Sequence, residues 1–510
     1  MVAAAFGQTQ TATVRGIVLD GTGAVVPGAS VTLANTDQNR SWRVGTNAEG
    51  EYVFVQIPPG NYALSVEAQG FKKYQRTGMI LEVAQVAALD VSLELGSLTE
   101  VVEVTTQVPL LETASSTLDA VVNSRTAESL PLNGRNILQL IAMVPGINAT
   151  RSFRGAMTGS GSIVSMAFSA NGARDVSSEV MLDGSPQIVM GYNQPAYVPT
   201  PDALQEFRVQ TNSLAAEYGR TGGAVVNLVH RSGTKEFHGV LYEFLRNDKL
   251  EANDFFSNRN NRAKALFRYN QFGFTLGGPL TWSRQTTFFF VNYEGIRQVN
   301  PGSSTFTVPT PQMKNGDFSG ISETIYDPVT IAPNGVRQPF PGNRVPAARF
   351  DPVAVKILSY YPEPTQPGVS NNYFSQHGNA ARSENFSVKI DRRISDRQNL
   401  YGRFSWNNVD NNLANHFQNF ASPDVGWSGA RNRSITLDDT YLLGGWVLHG
   451  NAGYAYHANP RDSVSRGFDL TSLGLPASFK QAAQFPIFPR IEPAGYASLG
   501  GNATFVIGNK

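Results

Sequence analysis

The chain has 510 residues, and its 41 basic and 40 acidic side chains nearly cancel, so it carries no charge excess of the kind that binds nucleic acid. It contains no cysteine, which removes disulfide frameworks, thiolate zinc sites and cysteine nucleophiles from consideration. With 48 Gly, 29 Pro, 30 Phe and 18 Tyr, the composition points to many strands, tight turns and long loops.

Residues 1–10 read Met-Val-Ala-Ala-Ala-Phe-Gly-Gln-Thr-Gln and are expected to be a signal-peptide remnant, with Ala5 and Gly7 two apart as at a cleavage site. Residues 11–97 form a first module. Val14, Ile17 and Val18, then Val31 and Leu33, Tyr52 and Phe54, Tyr62, Leu64 and Val66, and Leu89, Val91 and Leu93 mark short strands. Turns at 21–23, 27–28, 49–50 and 58–60 separate them, which predicts a small β-sandwich. The pattern Gly16-x-Val18…Pro27-Gly28-Ala29-x-Val31…Gly50-x-Tyr52-x-Phe54…Pro59-Gly60-x-Tyr62 resembles the carboxypeptidase regulatory-like domain, a prealbumin- or carbohydrate-binding-like fold without peptidase activity.

Residues 98–108 are an acidic, β-branched linker, readable as a last strand or a connector. The segment 109–233 mixes helix and strand. Ile137, Leu140, Ile141 and Val144 recur at helical spacing until Pro145-Gly146, while 181–182, 207–209 and 224–229 read as strands. It carries four glycine-marked signatures in order, at 130–136, 171–174, 181–184 and 217–227, each expected to mark a tight turn or a close backbone approach.

From 234 the period becomes two. Strands are expected at 236–247, 269–280, 285–297, 383–393, 398–409, 432–442 and 446–457. Phe386, Val388 and Ile390 alternate with Ser387, Lys389 and Asp391, and Leu400, Gly402, Phe404 and Trp406 alternate with Asn399, Tyr401, Arg403 and Ser405. One apolar face and one polar face suit a strand between lipid and a wet lumen. The links alternate long and short, the longest being 298–382, as in a membrane barrel with tight turns on one side and long loops on the other. The expected fold is therefore mainly β: an N-terminal β-sandwich, an α+β plug domain at 109–233, and at 234–510 the first seven or eight strands of an antiparallel transmembrane β-barrel.

On these residues the chain resembles the TonB-dependent outer-membrane receptors, of the Oar-like kind that carries the regulatory-like domain. Asn171-Gly-Ala-Arg174 to Met181-Leu-Asp-Gly184 is similar to the plug's Arg-Gly…Asp-Gly stretch, and Glu206-Phe-Arg208 with Tyr218-Gly219…Gly222-Gly223-x-Val225-Val226-Asn227 to its closing stretch. The chain departs from the pattern at Val209-Gln210-Thr211, where many members have Arg-Gly-Pro with a barrel-facing arginine. Loop signatures at 308–319, 326–328 and 339–346 are also Oar-like.

The resemblance implies energised uptake of a small or oligomeric substrate, a sugar or peptide in preference to a metal chelate. It also implies an outer-membrane location in contact with lipid, with the N-terminal domain and plug on the periplasmic side. The implied partner is an inner-membrane TonB-type energy transducer, which would grip a coupling segment at Thr99, Glu100, Val101, Val102, Glu103 and Val104 by strand addition. Arg174, Asp183, Gly184, Glu206, Arg208, Tyr218, Gly219, Gly222 and Gly223 are the plug-motif residues, and the charged ones are expected to lock plug to barrel wall. Such barrels close with about 22 strands, so the chain reads as an N-terminal fragment that neither inserts nor transports alone.

No cofactor or metal is expected. The six histidines, 230, 238, 377, 416, 449 and 457, show neither His-Glu-x-x-His nor His-x-x-Glu spacing, and His449 and His457 alternate with apolar neighbours as lumen-facing residues. No nucleophile elbow or phosphate loop is found, which argues against a secreted hydrolase. Aromatic residues 192, 197, 255, 256, 373 and 374 read equally as loop packing or as ligand platforms, so no ligand residue is assigned. The competing reading is a surface adhesion or glycan-binding protein acting through the sandwich.

Overall fold

The computed structural model describes residues 11–97, 101–105, 118–130, 132, 135–151, 167–174, 177–189, 194–195, 197–214, 218–219, 221–259, 261–280, 286–300, 302–423, 426–443 and 446–501. The expected signal-peptide remnant lies outside them. The chain is mainly β and folds as three successive sheet systems.

The first is a two-layer sandwich. Strand β1 (Ala12–Asp20) pairs with β4 (Glu51–Ile57), β7 (Val86–Ala88) and β8 (Val91–Leu93). The facing sheet is built from β2 (Ser30–Asn35), β3 (Arg40–Gly45), β5 (Gly60–Glu67), β6 (Lys73–Leu81) and β9 (Val101–Thr105), in the order β3-β2-β5-β6-β9. Alternate residues Val31 and Leu33, Tyr52 and Phe54, and Tyr62, Leu64 and Val66 are buried between the layers, as period-two patterning requires. Gly16 is required by contact: a Cβ there would lie 1.8 Å from the Leu89 carbonyl oxygen.

The middle system is α+β. Its sheet runs β10 (Leu118–Asn123), β17 (Leu204–Asn212), β18 (Val225–His230), β13 (Glu179–Leu182), β14 (Ser185–Pro186). Two small pairs flank it, β11 (Ile147–Arg151) with β12 (Ala167–Ala170) and β15 (Ile188–Val189) with β16 (Gln194–Pro195). A short α-helix, Ser124–Ser129, starts where the Asn123 side chain accepts the Thr126 N–H. The helical period at 137–144 forms a 3-10 helix, Ile137–Met143, in place of an α-helix. It buries Ile137, Leu138, Leu140 and Ile141 against Phe207, Val209 and Val226.

The third system is an antiparallel meander. Its strands are β19 (His238–Asn247), β20 (Arg268–Pro279), β21 (Thr287–Val299), β26 (Ala380–Ser395), β27 (Gln398–Asn412), β28 (Gly426–Leu443) and β29 (Trp446–Ala458), with the short β30 (Arg461–Ser463) also on β28. All seven expected strands are present within a few residues, and the links alternate long and short. The sheet is open among the described residues, with β19 at one edge and β29 at the other.

Its two faces differ as expected. Ser387, Lys389, Arg403, Ser405, Ser434 and Thr436 are buried on the side of the middle unit, whereas Ile390, Leu400, Ile435, Leu437 and Leu448 are exposed on the other. The long 300–379 link folds up with β22 (Ser304–Phe306) on β25 (Tyr373–Ser375) and β23 (Tyr326–Ile331) on β24 (Arg337–Pro339). Together with the 413–423 and 464–500 segments it encloses its own core of Val308, Tyr361, Tyr373, Phe417, Phe488 and Leu499.

Because the Leu89 backbone cannot retreat without breaking the sandwich, Gly16→Ala is expected to lower sandwich stability by about 1–3 kcal/mol. Thermal unfolding followed by near-ultraviolet dichroism measures this. An unchanged transition would show that the two layers can part there without cost.

Candidate functional site

The middle sheet ends in a two-residue hairpin. Asp183 and Gly184 both have positive φ, 50° and 71°, as a type I′ turn between β13 and β14 demands. The turn carries Asp183 into the wall of the meander, where its side chain is fully buried. Its Oδ2 lies 2.6 Å from Arg403 Nε, and its Oδ1 lies 3.4 Å from Lys389 Nζ. The His230 backbone N–H donates to Oδ1 at 3.0 Å. The Arg403 contact is a close ion pair without hydrogen-bond alignment. The directed bonds of that guanidinium run to Ser405 Oγ and Thr436 Oγ1, both at 2.8 Å, and to the Leu182 carbonyl at 3.4 Å.

Tyr401 Oη and Asn451 Nδ2 donate to the Asp183 carbonyl, each at 3.2 Å, and Lys389 Nζ donates to the His230 carbonyl at 3.1 Å. Gly453 opens the space beside the hairpin, since a Cβ there would lie 1.9 Å from Ser185 Oγ. Further along, His230 Nε2 meets Ser387 Oγ at 2.5 Å and Tyr197 Oη donates to Asn385 Oδ1 at 3.0 Å.

Burial pushes against the charged form of Asp183, but Lys389, Arg403 and His230 outweigh it and hold the carboxyl below its ordinary range. Burial moves His230 the other way, down to about 4 despite the nearby Asp183, so its ring is neutral near pH 7.

Glu206 and Arg208 correct the expectation of a lock on the barrel wall. They sit two apart on β17 and face the N-terminal sandwich. Glu206 accepts the Val83 N–H, and Arg208 Nη1 donates to the Val83 carbonyl at 2.8 Å, so two side chains grip one residue. Arg208 is also ion-paired to Asp119 of β10, with Nε 2.9 Å from Oδ2. The geometry explains the change of target: β17 lies between β10 and β18 and presents these two side chains to the sandwich, whereas the β13–β14 tip reaches the wall. Burial, reinforced by Glu82 against the opposing Val83 bond, pushes the Glu206 carboxyl up to about 8.

Arg174 is a second correction, since it is exposed beside the Asn171-Gly172 turn. It is Asn171 that ties this turn down, through Nδ2 to the Thr211 carbonyl at 2.7 Å. At the departure from the family pattern, Thr211 therefore serves through its backbone. Tyr218 is buried, with its Oη accepting from Asn227 Nδ2 at 3.3 Å. Gly223 is a close approach, with Ser178 Oγ 2.6 Å from a Cβ position. Gly219 and Gly222 are not: among the described residues both have open space, and neither has positive φ.

In the coupling candidate, Val101–Val104 belong to β9, parallel to β6 with Lys73 opposite Val101 and Gln75 opposite Glu103. Thr99 and Glu100 lie outside the described residues. Of the aromatic loop candidates, Tyr192 lies outside them too, Tyr197 and Tyr373 are buried and hydrogen-bonded, and Phe255 and Phe256 stand exposed edge to face. His449 bonds Asp438 at 2.8 Å and His457 bonds Asn432 at 2.6 Å, across β28 and β29.

Sequence reasoning missed the roles of Lys389, Arg403, His230 and Asn451. Lys389 and Arg403 were visible as charges on the polar face of alternating strands, and that was the available signal. His230 and Asn451 gave none.

Residues 229–509 match the family described as outer membrane beta barrel domain, and residues 13–94 match the carboxypeptidase regulatory-like domain. The chain belongs to the outer-membrane β-barrel family and is an outer-membrane protein. It is 30% identical over 327 residues to the TonB-dependent transporter Oar of Myxococcus xanthus, covering 58% of this chain and 28% of that relative. The chain thus spans less than a third of the length of the curated relative it matches.

Among solved structures it is similar to the siderophore receptor PirA from Acinetobacter baumannii, with TM-score 0.41 and 14% identity over 70% of this chain and 42% of that one. It is also similar to the outer membrane transporter YddB from Escherichia coli, with TM-score 0.41 and 13% identity over 68% and 40%. Both likenesses are too remote to add to the family match.

Two predictions follow from the buried charges. Asn tolerates positive φ, so Asp183→Asn keeps the turn but leaves Arg403 and Lys389 without their anion. A loss of about 3–5 kcal/mol is expected in detergent-solubilised unfolding, and a change under 1 kcal/mol would refute it. The folded-state carboxyl of Glu206 is raised, so its contribution is present below the ordinary carboxylate range and lost as pH rises through about 8. The melting temperature should fall between pH 5 and pH 9, and Glu206→Gln should flatten that slope. An equal slope in both proteins would assign it to other groups.

Proposed function

We propose that the chain is the N-terminal part of a TonB-dependent outer-membrane receptor that takes up a small or oligomeric substrate with energy supplied from the inner membrane. The middle unit, 109–233, is the plug, and the meander after it is barrel wall in contact with lipid. The observation that carries this reading is the Asp183 hairpin seated by ion pairs in the polar face of the strands. A water-filled lumen needs a stopper, and buried ion pairs are costly to break when one partner is withdrawn. Such a stopper opens under force and not by thermal fluctuation. The 30% identical relative is described as a TonB-dependent transporter, which favours transport over enzymatic chemistry.

The sandwich meets the edge of the meander where the tight turns lie. Gln38 Nε2 donates to the Gly233 carbonyl at 2.9 Å, and the Lys235 N–H donates to the Asp37 carbonyl at 2.8 Å. That end would face the periplasm, with the 300–379 link outside. Val101–Val104, and Thr99 and Glu100 before them, are the proposed segment for a TonB-type transducer. A sugar or peptide is proposed as substrate in preference to a metal chelate, on the strength of the Oar-like resemblance.

Under this reading, deletion of residues 11–97 from the full-length receptor leaves substrate affinity within about twofold while abolishing or impairing uptake. Loss of binding on that deletion, with binding retained by the excised sandwich, would instead establish the adhesion or glycan-binding alternative.

A further inference from the structure

The coupling candidate is a strand of the N-terminal sandwich, not a free tether. Strand β9 pairs along its whole described length with β6, in parallel register from Lys73–Val101 to Thr77–Thr105. It is the last strand of its sheet, so its outer edge carries no strand among the described residues. Strand β6 ends at Leu81, and two residues later the chain reaches Val83.

Val83 is the buried residue that Glu206 and Arg208 of β17 grip from both sides, N–H and carbonyl. Strand β17 is hydrogen-bonded to β18 from Leu204–His230 to Gln210–Val225, and β18 to β13 from Glu179–Val225 to Leu182–Leu228. Asp183 follows β13 directly and is the residue paired with Arg403 and Lys389 of the wall. A continuous line of strand ladders and charge-assisted bonds thus leads from β9 to the wall contact.

Resting on the reading of 99–104 as the coupling segment, we infer that the N-terminal sandwich is the lever through which force reaches the plug. The transducer strand adds to the outer edge of β9, β9 stays on β6, and the load passes through Val83 to β17 and the Asp183 hairpin. The rival route strips β9 off the sandwich and pulls β10 through residues 106–117. Parallel ladders loaded along the strand must break their bonds together, and the Val83 grip adds a guanidinium bond, which is stronger than one between neutral partners. This arrangement gives a cysteine-free, accessory-looking module a mechanical task.

The test is single-molecule pulling on the full-length receptor in a supported bilayer, with the periplasmic C-terminal domain of a TonB-type transducer as the handle. The lever predicts that no early extension precedes plug release, and that a Gln75→Cys, Glu103→Cys cross-link between β9 and β6 leaves the trace unchanged on oxidation. Arg208→Ala, or Val83→Pro on the other side of the grip, should introduce an early extension before plug release that the unmodified receptor lacks. An early step in the unmodified receptor, or its persistence in identical form in the Arg208→Ala protein, overturns the lever. If the transducer domain does not bind the unmodified receptor at all, the coupling segment itself is misassigned and the lever falls with it.

Discussion

One buried anion organises the contact between the middle unit and the wall. Asp183 is wholly enclosed, and an isolated carboxylate in that position would cost far more than any hairpin gains by folding. It is tolerable because Arg403 and Lys389 approach from two neighbouring strands and the His230 N–H from a third direction. Those same cations would be equally untenable without it. The requirement is mutual, so the position of the β13–β14 hairpin and the facing of β26 and β27 are fixed together. The polar face of the meander, Ser387, Ser405, Ser434 and Thr436 included, then serves as the hydrogen-bonding surround of this pair.

The two clusters of buried charge divide the labour of the middle sheet. Its hairpin tip engages the wall, and its β17 face engages the sandwich through Glu206 and Arg208. They also respond oppositely to protons. The Asp183 carboxyl is held low by cations, so its contribution fades in acid, whereas Glu206 is raised by burial and its contribution declines as pH rises from the ordinary carboxylate range through about 8.

Charge identity was readable along the chain, but charge partnership was not. Glu206 and Arg208 were expected in the same lock as Asp183 because both sets of residues fall in stretches that resemble the family's plug motifs. In space these β17 side chains face Val83 of the sandwich, and Arg208 takes Asp119 as its ion partner. Arg174 was expected in the lock because its stretch is similar to the plug's Arg-Gly…Asp-Gly motif, but it is the amide of Asn171 that ties the Asn171-Gly172 turn to Thr211.

Period-two patterning by itself determined the seven long strands, their two faces and the alternation of short and long links, because a strand's side chains must alternate whatever surrounds it. Turn chemistry likewise determined the Asp183-Gly184 hairpin, since two positive φ values in succession favour Asp-Gly. Tertiary structure alone decided that β9 joins the sandwich, that His230 and Asn451 support the hairpin, and that Gly219 and Gly222 have open space among the described residues. The physical reason is common to all of these. They depend on which backbone edge or carbonyl another segment brings alongside, a nonlocal choice that no local spacing encodes.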